Sequence, residues 1–565
     1  MTSRSRSSSS PFRLLLLILA LVSLVAAACG GGGSKKNADT GIVKDTTVDE
    51  GTPVDGGSVT FGLEAESTGW QPCVDSHSES GTTIMHALYD PLTARAADGK
   101  VVPYLAESLA PNADLTEWTM KMRPGVKFQD GTALDSAAVK ANFDAAKAPT
   151  SRCAGALATV DSMEVVDPLT VKYKLKSPYG PFAELLTGAP GYIFSPTNAA
   201  KFGADVSAHP VGTGPFVFDS WERDSKLTVK KNPTYWQKGL PHLDQVIFKP
   251  IPDEDARLAS LSSGEVDMMF TLRQQDVQAA RDLGDAVKRY EFIGNNSGSS
   301  IFNVKKAPVD DKRVRKAFAY AQDQDALVSV LGGKGISPTS TQFFSKDSPW
   351  YSKKVADAYP QNNPTEAKKL LDAYKNDPAR SDGKKPGDPV SITFACPPDA
   401  TLIAYAQAVQ QMETQVGFQV ELKQVEQATH IQNAVGKAPY TEADYMINCW
   451  RLGGQGDPDN VLFNQYAPPN GQAANVTNFD NPEVQALLKT ARESADFKTR
   501  YDAYEKIGLI FDEEVPQTWT GSTAASTAAK PNVHQVAGPW TYPDGKSKGK
   551  SEQSVVAFAY VWVSK

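Results

Sequence analysis

The chain has 565 residues, of which 41% are hydrophobic and 22% are charged, and its formal net charge is −7. This length allows more than one hydrophobic core, and the composition is that of a soluble globular protein. The acidic balance, with no basic run interleaved with aromatic residues, argues against nucleic acid as a partner.

The N-terminus has the pattern of an export signal. Three arginines within residues 4–13 precede an apolar run over residues 14–25, and small residues follow as far as Ala28. The apolar run is too short for a stable membrane span and ends at a small-residue cleavage site. The sequence therefore predicts a signal peptide over residues 1–28.

Cys29 directly follows this signal, and two interpretations are open. The chain is either an ordinary secreted protein cut after Ala28, or a bacterial lipoprotein that is cut before Cys29 and acylated on it. Residues 29–56 begin with glycines and lysines and carry no structural signal, which suits a flexible tether. A tether behind a cysteine favours the lipoprotein, and we expect an extracytoplasmic protein anchored to the cell membrane by lipid.

The cysteines beyond Cys29 are even in number, as expected in an oxidising compartment. Four cysteines allow three pairings, and separation along the chain favours Cys73 with Cys153 and Cys396 with Cys449. A zinc site is the alternative. No C-x-x-C motif occurs and the six histidines are scattered, so we predict no metal site.

Hydrophobic periodicity predicts the elements of the first half. Alternation indicates strands at residues 57–63 and 118–122, and a helix is expected from Thr82 to Leu88. Asp135 has the character of a helix N-cap, with apolar residues on one helical face behind it. Residues 161–179 are predicted to form a hairpin.

Residues 254–269 predict a helix that ends at Gly264 and is followed by a strand. The second half has more helical character, and residues 311–331 are strongly helical. Residues 391–426 predict a strand, a helix and a second strand, the unit from which parallel α/β layers are built. Two α/β lobes are the simplest architecture that accounts for this order of predicted strands and helices.

Several longer segments stand out in chain order. They are LAESLAPNADLTEWTMKMRPGVKFQDGTALDSAAVKANFD, VGTGPFVFDSW at 211–221, NPTYW at 232–236, VDDKRVRKAFAYAQD at 309–323, GDPDN at 456–460, NPEVQALLKTAR at 481–492 and FDEEVPQTW at 511–519. Together and in this order they resemble a known family, the family 5 extracellular solute-binding proteins, which are the oligopeptide, dipeptide and nickel receptors of ABC importers. The resemblance extends from about Gly57 to Lys565.

The resemblance implies a two-lobed α/β fold of the periplasmic-binding-protein type II, with three domains and a discontinuous first domain. The ligand would lie in a cleft between the first and third domains, with a hinge that closes the lobes over it. One predicted disulfide would lie within the third domain, and the other would join the first domain to the second. The implied boundaries are 57–100, 208–288 and 515–565 for domain I, 101–207 for domain II and 289–514 for domain III.

The resemblance also implies a function. It indicates a monomeric substrate-binding lipoprotein without enzymatic activity or cofactor, which captures a peptide or a peptide-like polar solute and delivers it to an ABC permease and ATPase. Haem, a metal chelate or a glycosylated compound are alternative ligands, and a sensory or structural lipoprotein on the same scaffold is an alternative function. An exported hydrolase is the rival from another class, but no G-x-S-x-G, S-x-x-K or H-E-x-x-H motif occurs.

One motif of the peptide-binding relatives is incomplete. Those relatives carry a pattern close to W-x-G-D-x-x-D-P, in which the first Asp pairs with the α-ammonium of the peptide. Here the stretch reads CWRLGGQGDPDN, and Gly454 stands where that Asp is expected. Asp457 or Asp459 could substitute, although capping of a helix is the alternative role for both.

The candidate ligand-binding residues lie in three polar segments. Hydroxyl and amide groups suit hydrogen bonding to a polar solute, although each could also belong to a simple turn. Arg451 could pair with a ligand carboxylate, and Trp450 could stack on the ligand or belong to the core. The predicted set is His77, Ser78, Glu79, Ser80, Asn296, Ser299, Trp450, Arg451, Gln455 and Asp457.

Overall fold

The computed structural model describes residues 51–435, 444–452, 456–467, 475–551 and 555–565, with only the backbone at 295, 296, 452 and 464. These residues belong to one compact unit, which comprises residues 41–565. The signal peptide, Cys29, Gly454 and Gln455 lie outside the described residues.

The described strands are numbered in chain order. They are β1 (Ser58–Leu63), β2 (Thr93–Arg95), β3 (Val101–Pro103), β4 (Ala106–Pro111), β5 (Glu117–Met122), β6 (Val160–Asp167), β7 (Thr170–Leu175), β8 (Phe216–Glu222), β9 (Lys226–Lys231), β10 (Gln245–Pro250), β11 (Met268–Thr271), β12 (Lys288–Phe302), β13 (Val390–Cys396), β14 (Phe418–Gln424), β15 (Ile447–Leu452), β16 (Ser522–Ala529), β17 (Val533–His534), β18 (Trp540–Thr541), β19 (Lys548–Gly549) and β20 (Trp562–Val563).

The described α-helices are numbered in the same way. They are α1 (Gly81–Leu88), α2 (Ser136–Lys147), α3 (Phe182–Leu185), α4 (Pro196–Phe202), α5 (Glu254–Ser263), α6 (Gln274–Asp282), α7 (Lys312–Ala321), α8 (Gln324–Val330), α9 (Lys353–Ala358), α10 (Pro364–Lys375), α11 (Ala400–Val416), α12 (Gln427–Val435), α13 (Asp459–Tyr466), α14 (Pro482–Arg492) and α15 (Phe497–Glu514).

A ten-stranded mixed sheet organises the chain. Its strand order is β14-β13-β15-β12-β16-β11-β1-β10-β9-β8. Strand β1 pairs in parallel with β10 and β11 at one side, and β13 pairs in parallel with β14 and β15 at the other. The long strands β12 and β16 run antiparallel between these two parallel groups. The predicted α/β class, including the strand–helix–strand unit β13-α11-β14, is confirmed.

A second sheet contains the strands of the best-marked family segment. Its order is β4-β5-β7-β6, and α2 packs nearby, with Val139 and Phe143 in the same apolar core as the sheet residues Met120 and Met122. The side chain of Asp135 accepts a hydrogen bond from the backbone N–H of Ala138 at 2.9 Å, which is the predicted N-cap. The hairpin predicted at 161–179 is formed by β6 and β7.

The region 311–331 forms two helices rather than one uninterrupted helix. Helix α7 ends at Ala321, and Gln322 has an extended backbone with ψ of 129°. The side chain of Asp323 then accepts a hydrogen bond from the N–H of Ala326 at 3.0 Å and begins α8. An N-cap inside the apolar periodicity therefore starts a new helix, because Asp competes with the helix for backbone N–H groups.

Several apolar cores lie around these elements. One surrounds Phe61 and Phe248 of the parallel strands, and another surrounds Met120 beneath the four-stranded sheet. A third surrounds Phe318 and Phe394 on the far side of β12. These cores follow the order of the predicted domains, while the three domain boundaries themselves stay a prediction.

The structure contains the two disulfides that sequence separation favours. Cys73 is joined to Cys153, with their Cα atoms 5.2 Å apart, and Cys396 is joined to Cys449, with their Cα atoms 5.3 Å apart. The first bond connects the loop before α1 to the segment between α2 and β6. The second fixes the end of β13 to β15, so both bonds join parts of the chain that are distant in sequence.

Two features are absent from the described residues. None of their helices combines the length and the apolar character needed to cross a bilayer. The described residues likewise contain no group of three or more histidine, cysteine, aspartate or glutamate side chains placed to hold a metal ion.

Candidate functional site

A cavity of about 600 Å³, here named the larger cavity, lies at the carboxyl ends of β11, β13 and β15. Its volume is within the range of small-molecule sites, and the carboxyl edge of a parallel sheet is where α/β proteins bind ligands. The stretches that line it fall in both predicted lobes. The lining residues fall within 272–275 and 521–523 of predicted domain I, and within 298–299, 328–337, 397–405, 427–431 and 449–451 of predicted domain III.

The sheet register brings two distant segments to this edge. Strands β13 and β15 are parallel neighbours, with Ala395 opposite Asn448. Both strands therefore point their carboxyl ends in the same direction, and the disulfide between Cys396 and Cys449 holds them together there. Trp450 and Arg451 follow at once and form part of the cavity wall.

Trp450 is half-buried beside a histidine that the sequence does not single out. Its ring lies 5.9 Å from the ring of His430 on α12, with the two planes inclined by 31°. The His430 Nε2 lies 2.9 Å from the carbonyl oxygen of Cys449. A carbonyl only accepts, so Nε2 carries the proton, and burial lowers the pKa of this histidine. The pair presents a neutral aromatic surface to the cavity.

Arg451 supplies a cation to the wall. It is exposed, it stands opposite Gly298 in the β12–β15 register, and its guanidinium forms no ion pair with any other described residue. Arg273, on the same wall, is already bound, with its Nε 2.6 Å from Glu254 and its Nη2 2.6 Å from Asp276. Arg451 is therefore the arginine of this wall that remains available to a ligand carboxylate.

Ser299 lies in the cavity wall, but its hydroxyl is already used. The residue is 1% exposed, and its Oγ lies 3.4 Å from the carbonyl oxygen of Trp450 across the strand pair. The side chain of Asn296, also predicted to bind, is not among those described. Of the ten predicted residues, the larger cavity brings together Ser299, Trp450 and Arg451.

The segment from His77 to Ser80 lies before α1 and outside the wall of the larger cavity. The backbone N–H and hydroxyl of Ser80 are both bound to Glu64. The hydroxyl of Ser78 donates to the carbonyl oxygen of Ala65 at 3.1 Å and accepts from the N–H of Gly81. The hydroxyls predicted for ligand binding therefore fix the start of α1. Glu79 is exposed.

His77 is held against an aromatic ring. Its imidazole stacks on Trp70, with the ring centroids 6.1 Å apart and the planes within 18°. Both ring nitrogens are buried and without a hydrogen-bond partner among the described residues. Burial lowers its pKa, so the ring is neutral at pH 7.

Asp457 does not line the larger cavity. Its Oδ2 accepts a hydrogen bond from Arg500 Nη1 at 2.6 Å, its Oδ1 contacts Arg500 Nη2, and both residues are buried. The same Oδ1 accepts from the N–H of Asp459 at 2.9 Å. This contact with the first residue of α13 fits the alternative role considered from the sequence, at the start of a helix, and ligand binding by Asp457 stays a prediction.

Asp459 is likewise paired, and its partner touches a further segment. Its Oδ2 lies 2.8 Å from Nη1 of Arg492, and burial raises its pKa to about 6. The guanidinium of Arg492 lies 4.6 Å from the ring of Tyr179, and the N–H of Gly180 donates to the carbonyl oxygen of Arg492 at 2.8 Å. Predicted domains II and III are therefore in direct contact here.

Three further wall residues carry polar groups that sequence reasoning missed. Gln274 donates to the carbonyl oxygens of Leu272 and Ala524, both at 3.1 Å. Tyr405 and Thr520 share a hydrogen bond of 2.9 Å. His430 is the third. Gln274, Tyr405 and His430 lie on three different helices, so no short motif unites them.

The chain is similar to known proteins in sequence and in fold. The model of bacterial extracellular solute-binding proteins, family 5, matches residues 100–473. That match covers more than half of the chain. The protein belongs to this family.

Individual relatives span nearly the whole chain. The glutathione-binding protein GsiB of Salmonella paratyphi A is 28% identical over 486 residues, which are 83% of this chain and 89% of that protein. The structure is similar to AgaA of A. tumefaciens in complex with agropinic acid, with 26% identity, a TM-score of 0.71, and 90% and 99% of the two chains covered.

A third similarity concerns the fold alone. HbpA2 from Haemophilus parasuis is 21% identical, with a TM-score of 0.75, and 90% of this chain and all of that chain are covered. The predicted two-lobed type II fold and the predicted class, a solute-binding protein of the ABC importer type, are confirmed. The family is one of transport receptors rather than enzymes, and its members act outside the cytoplasm.

Proposed function

We propose that the larger cavity receives a peptide-like solute with a free carboxylate, and that the protein delivers this solute to the permease and ATPase of an ABC importer. The observation that carries the proposal is the exposed Arg451 guanidinium on the wall of a cavity of about 600 Å³. Glutathione is the first candidate, because a relative whose similarity covers 83% of this chain is named for it.

The rest of the wall suits such a solute. The Trp450–His430 surface offers an aromatic face, and the cavity is otherwise lined in part by apolar side chains such as Leu402 and Val328. The Asp that peptide-binding relatives use for an α-ammonium is replaced by Gly454. Recognition through a carboxylate, and not through the amine, is what this set of residues supports.

Replacement of Arg451 tests the site. Arg451→Ala should weaken the binding of glutathione in calorimetry by at least about tenfold, since a hydrogen bond to a charged group contributes about 1.5–3 kcal/mol. Arg223→Ala is the matched control, because Arg223 is an exposed arginine on the turn between β8 and β9 and should leave affinity unchanged.

Two outcomes would contradict this proposal. Equal affinity of Arg451→Ala and the unmodified protein would remove Arg451 from the site. A strong preference for peptides with free N-termini over N-acetylated ones would show that the amine is recognised after all. If glutathione does not bind but other carboxylate-bearing peptides do, the class of solute stands and glutathione is replaced by the peptide that binds.

The same proposal covers assembly and mechanism. The protein acts as a monomeric, non-enzymatic receptor of three domains, in which the lobes close over the solute. Closure follows from differential affinity, because only the closed form lets both lobes contact the ligand. Bound solute should also raise the melting temperature, since it binds only the folded state.

The lipid anchor is part of this proposal and rests on Cys29 and the polar segment behind it. Cys29→Ala should release the mature protein from the membrane fraction, because the acylated side chain is its attachment. Fractionation followed by immunoblotting measures this. A Cys29→Ala protein that stays in the membrane fraction would contradict the anchor while leaving the solute site untouched.

A further inference from the structure

A buried carboxylate near the start of β2 lacks a cationic partner. Asp90 is 3% exposed and accepts hydrogen bonds from Trp236 Nε1 at 2.6 Å and from the Tyr235 hydroxyl at 3.1 Å. Both donors are neutral, and no arginine or lysine of the described residues forms an ion pair with Asp90. An ionised carboxylate in such a place is costly unless a positive charge compensates it.

A cavity of about 100 Å³, here named the smaller cavity, lies beside this carboxylate. Besides Asp90, its wall contains four aromatic side chains, Tyr104, Trp540, Tyr542 and Tyr560. Tyr104 meets Tyr542 edge to face at 5.6 Å, and Trp540 stacks on Tyr560 at 5.0 Å. The smaller cavity shares no lining residue with the larger cavity.

We propose that the smaller cavity binds a small organic ammonium ion, whose charge the Asp90 carboxylate balances and whose alkyl groups contact the aromatic rings. Aromatic rings attract ammonium ions through their quadrupoles, most strongly where water is excluded. The volume suits an ion of a few heavy atoms and excludes a peptide. This site is separate from the proposed solute site.

The other ionisable groups considered in this wall are paired, exposed to water or neutral. Asp90 is therefore the buried group whose charge needs a partner. Arg95 is bound to the buried Glu184. Lys550 is exposed, so water solvates its charge. His86 is neutral, because burial lowers its pKa to about 4.

The pH dependence of binding follows from the same groups. Burial raises the pKa of Asp90 to about 7, and an ammonium ion binds the ionised form. His86 titrates far below this range, and burial raises the pKa of Tyr104 and Tyr560 above it. Affinity should therefore increase about tenfold between pH 6 and pH 8, as the ionised fraction of Asp90 rises.

Calorimetry with tetramethylammonium chloride tests the site on the full mature protein, with sodium chloride at equal ionic strength as the blank. We expect saturable binding that tightens from pH 6 to pH 8. Asp90→Asn should weaken it at least tenfold and abolish the pH dependence. Asp98→Asn is the matched control, because Asp98 is an exposed aspartate that pairs with Lys100, and it should bind as the unmodified protein does.

A second variant keeps the test decisive if Asp90→Asn does not fold. Trp540→Leu retains the carboxylate and removes one ring, and it should also weaken binding. Absence of saturable binding to the unmodified protein would overturn the proposal, as would unchanged affinity in Asp90→Asn or in Trp540→Leu. Glutathione affinity measured in Asp90→Asn reports on the larger cavity, so failure of one site is distinguishable from failure of the other.

Discussion

Asp457→Asn should lower the free energy of unfolding by about 3–5 kcal/mol, because it leaves the buried guanidinium of Arg500 without its carboxylate. Arg500 is 7% exposed and Asp457 is 9% exposed, so water cannot replace the lost charge. Two contacts join Asp457 to Arg500, and Oδ1 of Asp457 also accepts a hydrogen bond from the N–H of Asp459. Denaturant unfolding followed by circular dichroism measures the change.

A substitution on α15, the helix that carries Arg500, gives the control. Asp502 pairs with Lys498 one turn away on the exposed face of α15. Asp502→Asn should cost less than about 1 kcal/mol, as is usual for surface ion pairs. If Asp457→Asn were as mild as Asp502→Asn while solute affinity fell, Asp457 would be a ligand residue and the structural role given to it here would be wrong.

Asp512→Asn should flatten the dependence of stability on pH. Asp512 on α15 is 5% exposed, and neither carboxylate oxygen has a hydrogen-bond partner among the described residues. Burial raises its pKa to about 8, against roughly 4 in the unfolded chain. The folded state therefore holds a proton that the unfolded state releases. Its contribution to stability is greatest below pH 4 and is lost as the pH rises towards 8.

The measurement compares unfolding free energies of the two proteins at several pH values. Between pH 4 and pH 8 the unmodified protein should lose up to about 1.4 kcal/mol per pH unit through this group, and Asp512→Asn should not. The difference between the proteins should thus shift in favour of the variant as the pH rises. A constant difference across this range would show that Asp512 has an ordinary pKa in the folded state.

Local features of the fold were predictable because their causes are local. The N-cap at Asp135 and the end of α5 at Gly264, which has φ of 84°, depend on neighbouring backbone groups. Strand β5 was predictable because one of its faces is buried, so apolar and polar residues alternate along it. The break between α7 and α8 was missed, because periodicity over residues 311–331 outweighed the single cap residue Asp323.

The candidate site was predictable only in part. Trp450 and Arg451 were found because they lie next to a family motif, and both line the larger cavity. Ligand binding by Asp457 stays a prediction, and its pairing with Arg500 could not be predicted because Arg500 is 43 residues away and the pairing leaves no local pattern. His430 carried no signal of its own, since it reaches Trp450 only through the arrangement of α12 and β15.

The sequence by itself determined the α/β elements and the family, because periodicity, caps and ordered motifs depend on residues that are close together in the chain. It favoured the two cysteine pairs, and the tertiary structure decided them by bringing distant segments together. Only the tertiary structure decided which side chains line the same cavity. The larger cavity joins residues between 272 and 523, and the smaller cavity places Asp90 in one wall with Tyr104 and Trp540. Such contacts depend on strand register and burial across the ten-stranded sheet, and burial sets the charge state of each group there.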